Sequence, residues 1–237
     1  WRGQMLGDGR ALKTVGRKLA AVSSFYAHAT EPGGWLEHLN HNPARPTRVR
    51  RTPKEAGQRT PTLSQDQLRA VVAAATDPKL RALVLLLATT GARISEVLNA
   101  TRGHLKVTEG VPVLHIMGKG RKERDLKLAA AVVDVLAGIG AYQRPATAWL
   151  IEGRRGQMTY DEAVYDLAKL GRAAGLTATL RPHQFRASYA TRIVIDQGAD
   201  MDDVADQLGH AGTDMTRVYV REARSALGCT DADVESI

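Results

Sequence analysis

The stretch that most constrains this chain lies between residues 103 and 128. There the apolar spacing leaves the helical rhythm and becomes short runs at 104–108, 111–117 and 123–128, which predict three strands. Gly110-Val-Pro reads as one turn and Gly118-Lys-Gly-Arg-Lys as the other. Helical patterns flank this block, at 64–75, 79–90 and 93–100 before it and at 129–141, 158–173, 183–197, 200–208 and 213–225 after it. Strands grouped between helices, with no alternation, argue against a doubly wound parallel sheet. The predicted class is mainly α with a small antiparallel β-sheet (α+β).

Length and composition narrow the classes further. The 237 residues are 43% apolar and 5% aromatic, enough for a core built largely of Ala, Val, Leu and Ile. The formal charge is +8, and its distribution says more than its size. Residues 1–60 hold 11 Lys and Arg against 4 acids, while the rest hold 22 against 21. A basic balance suggests a polyanionic partner without establishing one. The single cysteine, Cys229, excludes a disulfide framework within the chain and a Cys-rich zinc site, and suits a cytoplasmic protein. The longest apolar run, 82–88, is too short to span a bilayer, and residues 1–15 lack the apolar segment of a signal peptide. A start at Trp1 reads as a fragment without its natural N-terminus.

Residues 12–29 read as an amphipathic helix with Val15, Leu19, Val22 and Phe25 or Tyr26 on its apolar stripe. Lys13, Arg17 and Lys18 lie mostly off that stripe, on a face that is either solvated or laid on phosphates. Residues 41–62 have four prolines and no apolar periodicity, so they read as a linker. The cluster Arg48, Arg50 and Arg51 favours a linker that follows a DNA backbone over a bare hinge. Ser64 with Gln67 three residues later forms a capping box that starts the next helix.

Four segments carry candidate chemistry. In Thr89-Thr-Gly-Ala-Arg-Ile-Ser-Glu96 a glycine ends one helix, and Arg93 is expected in the first turn of the next. The helix dipole is positive there, so an anion would stabilise both groups, with Glu96 orienting the guanidinium. Its bland reading is a surface salt bridge. In Met117-Gly-Lys-Gly-Arg-Lys-Glu-Arg124, Lys119 and Arg121 sit at a glycine-flanked hairpin tip. Lys119 could protonate a leaving oxygen or touch phosphate, though such a tip is more often a basic turn. In His183-Gln-Phe-Arg186 the two cations share a face at a helix start, a better phosphate site than either residue alone. In the fourth segment Gly209 places His210 in a turn, and Thr213 caps a short helix carrying Tyr219, which by itself reads as core. His183 and His210 have no third partner at zinc-ligand spacing, so no metal site is expected.

Taken in order, TGARISEV, GKGRKER, HQFRASYAT and LGHAGTDMTRVY resemble the active-site boxes of the tyrosine recombinase (phage integrase) family over residues 60–225. The resemblance implies that Arg93 and Arg186 grip the scissile phosphate and Lys119 is the general acid for the departing 5′ oxygen. It makes His183 an aid to proton transfer, His210 a donor to a non-bridging oxygen, Tyr219 the nucleophile and Glu96 the supporting acid. It implies residues 1–45 as the end of a helical core-binding domain, 46–62 as a basic linker and 63–237 as catalytic domain with a C-terminal tail. DNA contacts are then expected from Lys13, Arg17, Lys18, Arg48, Arg50, Arg51 and Arg121.

The implied reaction is metal- and ATP-independent strand exchange through a 3′-phosphotyrosyl link, with no cofactor. The implied partners are double-stranded core sites and a homo-tetramer on paired sites, a monomer or weak oligomer without DNA, and no membrane. Host DNA-bending or directionality factors are candidate further partners. Integration or excision of a phage or mobile element is the first expectation, and resolution of chromosome dimers the second. The rivals are a type IB topoisomerase, an inactive DNA-binding relative and a metal-dependent nuclease. Residues 221–228 continue as a helix that either docks on a neighbouring protomer or frays.

Overall fold

Ser64 and Gly91 punctuate the first helices of the larger of two units, 1–58 and 59–237, in a computed structural model that describes residues 2–10, 12–39, 42, 61–117, 123–196 and 198–209. In the smaller unit, α1 (Arg2–Gly7) precedes α2 (Leu12–Ala29). Val15 and Met5 are buried, while Phe25 is 53% exposed and stands edge-on to Tyr26. The apolar stripe of α2 therefore closes on Tyr26, which is half-buried. The linker stretch lies largely outside the described residues.

In the larger unit, α3 (Gln65–Ala74) starts at the predicted capping box: Ser64 Oγ accepts from the Gln67 N–H at 3.2 Å, and Gln67 Oε1 accepts from the Ser64 N–H at 2.9 Å. Asp77 caps α4 (Pro78–Thr90), with Pro78 in the first turn, where a missing N–H has no cost. Residues 82–88 of α4 are buried all round, so this helix is the spine of the core. It ends at Gly91, which takes φ +63°. A side chain there would also strike Tyr189 and Leu208, so the position needs glycine twice over. A short helix, α5 (Ile94–Leu98), follows.

The sheet is a meander of β1 (Leu105–Thr108), β2 (Val111–Met117) and β3 (Glu123–Lys127), antiparallel in the order 1-2-3. Leu114 pairs with Leu105 on one side and Leu126 on the other, and both Leu114 and Leu126 are fully buried. The first turn is Glu109-Gly110, with φ +51° and +78°, the two-residue hairpin geometry that matches strand twist. β2 has the expected bounds, and Val111 and Pro112, expected also in the turn, belong to the strand. His104, expected in a strand, closes a 3-10 turn at Arg102–His104, where its Nδ1 accepts from the Thr101 N–H at 2.8 Å.

Three helices complete the core: α6 (Ala130–Gly138), α7 (Tyr160–Ala173) and α8 (Pro182–Thr191). A tiny hairpin, β4 (Glu152–Gly153) with β5 (Gly156–Gln157), lies between α6 and α7. The expected helix 183–197 is α8 followed by a π-helical stretch, Arg192–Asp196. Last comes α9 (Met201–Leu208), capped by Asp200 and ended by Gly209 at φ +65°. The expected helix 213–225 lies outside the described residues. The class is mainly α with small antiparallel sheets.

Candidate active site

Two helix C-termini meet two arginines. The last carbonyls of a helix have no partner inside it and carry the negative end of its dipole. At the end of α4, the Gly91 carbonyl accepts from Arg186 Nη1 at 2.8 Å. At the end of α9, the Leu208 carbonyl accepts from Arg186 Nη2 at 2.6 Å, and the Gly209 carbonyl accepts from Arg93 Nη2 at 3.0 Å. Arg186 is only 3% exposed, so these bonds offset much of the cost of burying a charge. The sequence suggested cations stranded at positive helix ends. Their guanidinium groups are in fact held by the negative ends of two other helices.

Arg93 also differs from expectation in its place. It is the N-cap of α5, in extended conformation (φ −69°, ψ 140°), not a first-turn residue. The reason is Glu96, three residues on, whose Oε2 reaches back to accept from the Arg93 N–H at 2.7 Å and so holds Arg93 in the cap position. Glu96 Oε1 accepts from Arg93 Nη1 at 2.9 Å, which makes the acid an orienting group as expected. A second arginine, Arg124 of β3, donates to Glu96 Oε2 at 3.0 Å. Burial of Glu96 favours its neutral acid, but the bonds from the Arg93 N–H, Arg124 and the Arg93 side chain outweigh it and hold the carboxyl below the usual range.

His183 and Arg186 stand on α8, and with Arg93, Tyr160 and Arg181 they line one cavity of about 300 Å³. Loss of solvent at the cavity wall, then the positive charges of Arg186 and Arg93, lower the His183 pKa below 6.5. The imidazole is therefore neutral at neutral pH and can accept a proton. Buried Ser188 on α8 accepts from the Leu63 N–H at 2.7 Å and donates to the Gln184 carbonyl at 2.7 Å. That bond pins the helix carrying His183 and Arg186 to the first residues of its unit.

The structure thus gathers Arg93, Glu96, His183 and Arg186 at one place. Lys119, Arg121, His210 and Tyr219 lie outside the described residues, as do Arg48, Arg50 and Arg51. Lys119 and Arg121 fall between β2 and β3, and His210 directly follows Gly209. Arg17 and Lys18 are exposed on α2, to which Lys13 also belongs. Sequence reasoning missed Arg124 as a member of the site. A signal was present: Arg124 and Leu126 share one face of β3, and a charge on an inward face implies a partner. Among the described residues, no group of three or more His, Cys, Asp or Glu is placed to hold a metal ion.

The model of the phage integrase family matches residues 61–225, most of the chain. This chain belongs to that family. The tyrosine recombinase XerD of Ralstonia nicotianae is 32% identical over 228 residues, 90% of this chain and 70% of that protein. The crystal structure of XerA recombinase superposes with TM-score 0.60 at 25% identity over 70% of this chain, which spans 65% of that one, just under two thirds. The Tn1549 transposon integrase, solved in complex with transposon right end DNA, superposes with TM-score 0.71 over 97% of this chain and 84% of its own, at 17% identity, a likeness of fold. As a tyrosine recombinase, the protein is classed as a DNA strand transferase. Among the described residues of this recombinase, no helix is long and apolar enough to cross a membrane.

Proposed function

We propose that this recombinase cleaves and rejoins double-stranded DNA at specific core sites through a 3′-phosphotyrosyl intermediate on Tyr219. The observation that carries the proposal is the cavity shared by Arg93, His183 and Arg186. Two guanidinium groups fixed by backbone carbonyls are preorganised for the charge that a phosphodiester develops in its transition state, without reorganisation during the reaction. A tyrosine hydroxyl, with an ordinary pKa near 10, needs a base as it attacks. Neutral His183 is a suitable acceptor.

In the proposed step the Tyr219 hydroxyl oxygen bonds to phosphorus and the bond from phosphorus to the 5′ oxygen breaks. His183 takes the tyrosine proton, Lys119 gives one to the departing oxygen, and His210 donates to a non-bridging oxygen. The phosphotyrosyl bond keeps the energy of the cleaved linkage. A partner strand's 5′-hydroxyl then reverses the step, so ATP has no part. Lys13, Arg17, Lys18, Arg48, Arg50, Arg51 and Arg121 contact DNA in this reading. Residues 1–45 form the end of a core-binding domain, 46–62 the linker and 63–237 the catalytic domain. Four copies assemble on paired sites, with host bending or directionality factors as further partners, in the cytoplasm.

The biological role is integration or excision of a phage or mobile element. A second reading, the resolution of chromosome dimers, is favoured by curated relatives that carry the name XerD. A nicked core-site duplex, incubated in EDTA without ATP, tests the chemistry. Wild type should trap a protease-sensitive covalent adduct and Tyr219→Phe none. An adduct that persists in Tyr219→Phe, or that requires added metal, would overturn the mechanism.

A further inference from the structure

A charged side chain on the inward face of a strand requires a partner. Arg124 is the second residue of β3, opposite buried Ile116 and two residues before buried Leu126. Its side chain is 13% exposed. On one side Nη2 donates to Glu96 Oε2 at 3.0 Å. On the other, the guanidinium lies against the bare backbone of Gly209, where a Cβ would meet Nη1 at 2.8 Å and Cζ at 3.1 Å. Glu96 in turn holds the Arg93 N–H and Nη1, and the Gly209 carbonyl holds Arg93 Nη2. The four residues form a closed circuit: Arg124 to Glu96, Glu96 to Arg93, Arg93 to Gly209, and Gly209 back to Arg124.

We propose that Arg124 is a positioning residue for strand cleavage: through Glu96 it fixes the Arg93 guanidinium, and by packing on Gly209 it fixes the turn that leads to His210. The proposal rests on the recombinase reading above. The circuit joins three segments that carry chemistry. Arg124 follows Lys119 by five residues on the same hairpin, Arg93 opens α5, and Gly209 precedes His210. Glu96 is 6% exposed and is shared by two cations, so losing Arg124 leaves it on Arg93 alone. The pull along the Arg93 side chain then changes, and Gly209 loses the surface that limits its turn. A lysine keeps the charge but has no planar fork to reach Glu96 while lying flat on Gly209. Misplacement of a gripping group by about 1 Å can cost about 10²-fold in rate.

Single-turnover cleavage of the nicked duplex by saturating full-length protein tests this. Arg124→Met should cleave about 10²-fold more slowly at an unchanged half-saturating protein concentration. Arg124→Lys should recover part of the rate. The double variant Arg124→Met with Glu96→Gln should be no slower than the slower single variant, because both act through one circuit. Wild-type rates in Arg124→Met, a loss confined to DNA affinity, or rate losses that multiply in the double variant would each overturn the proposal. A direct reading comes from the Arg93 Nε–H resonance of the DNA-free protein, assigned by its disappearance in Arg93→Lys. Arg124→Met should move that resonance and leave those of remote arginines in place. An unmoved Arg93 resonance overturns the proposal whether or not the chain cleaves DNA. If Arg124→Met does not fold, Arg124→Lys carries both measurements. Failure of the wild type to form an adduct would count against the recombinase reading, with the resonance still deciding on Arg124.

Discussion

At the scale of single residues, the site depends on cations kept apart from one another by anionic and dipolar partners. Arg93 and Arg186 line the same cavity, and each is anchored by carbonyls at a helix end. Burial first, and then their positive charges, disfavour the protonated form of His183. Its folded pKa is below 6.5, so the unfolded chain binds a proton more readily than the folded one at mildly acid pH. The stability linked to this group is fully present above 6.5 and is lost as pH falls through the lower folded value. Titration of the His183 ring signal by NMR in DNA-free protein should give a midpoint below 6.5. A midpoint at or above that value would mean that burial and the neighbouring guanidinium groups do not together disfavour the charged imidazole.

At the scale of elements, glycines decide where carbonyls point. Gly91 ends α4 in the left-handed region and leaves room for Tyr189 and Leu208. Gly91→Ala should destabilise the protein by on the order of 2–4 kcal/mol, combining backbone strain with overpacking. Urea unfolding measures the loss, and cleavage should weaken with it because the Gly91 carbonyl holds Arg186. An unchanged midpoint would show that the turn tolerates a side chain.

Much of this scale was legible in the chain itself. Ser64 and Gln67 mark the start of α3, Gly91 and Gly209 mark two helix ends, and the three-strand block marks the sheet. These are local signals, each complete within a few residues. What was not legible is long-range. Arg186 bonds to carbonyls 95 and 22 residues away, and backbone groups have no letter in the sequence. Arg124 lies 28 residues from Glu96, so only its inward position on β3 hinted at a partner. The N-cap place of Arg93 was missed because arginine is a poor capping residue; the bond that holds it there runs the other way, from the Arg93 N–H back to Glu96.

At the scale of the whole molecule, the positive charge is concentrated in residues 1–60, while Arg93 and Arg186, proposed to grip the scissile phosphate, belong to the second unit. Affinity and chemistry should therefore separate. Replacing Arg48, Arg50 and Arg51 together by alanine should weaken core-site binding and reduce the slope of log K against log salt by about 2.7, about 0.9 for each lost phosphate contact. The cleavage rate at saturation should stay at the wild-type value. Binding measured across a salt series checks the first part and single-turnover cleavage the second. An unchanged salt slope would remove the linker from the DNA interface.

In the proposed mechanism a tyrosine of this chain becomes joined to a 3′ phosphate. The most direct measurement is tandem mass spectrometry of the trapped adduct after digestion with protease and nuclease. The predicted result is a nucleotide linked through its 3′ phosphate to the Tyr219 side chain, formed in EDTA. A nucleotide on another residue, or one linked through a 5′ phosphate, would contradict it.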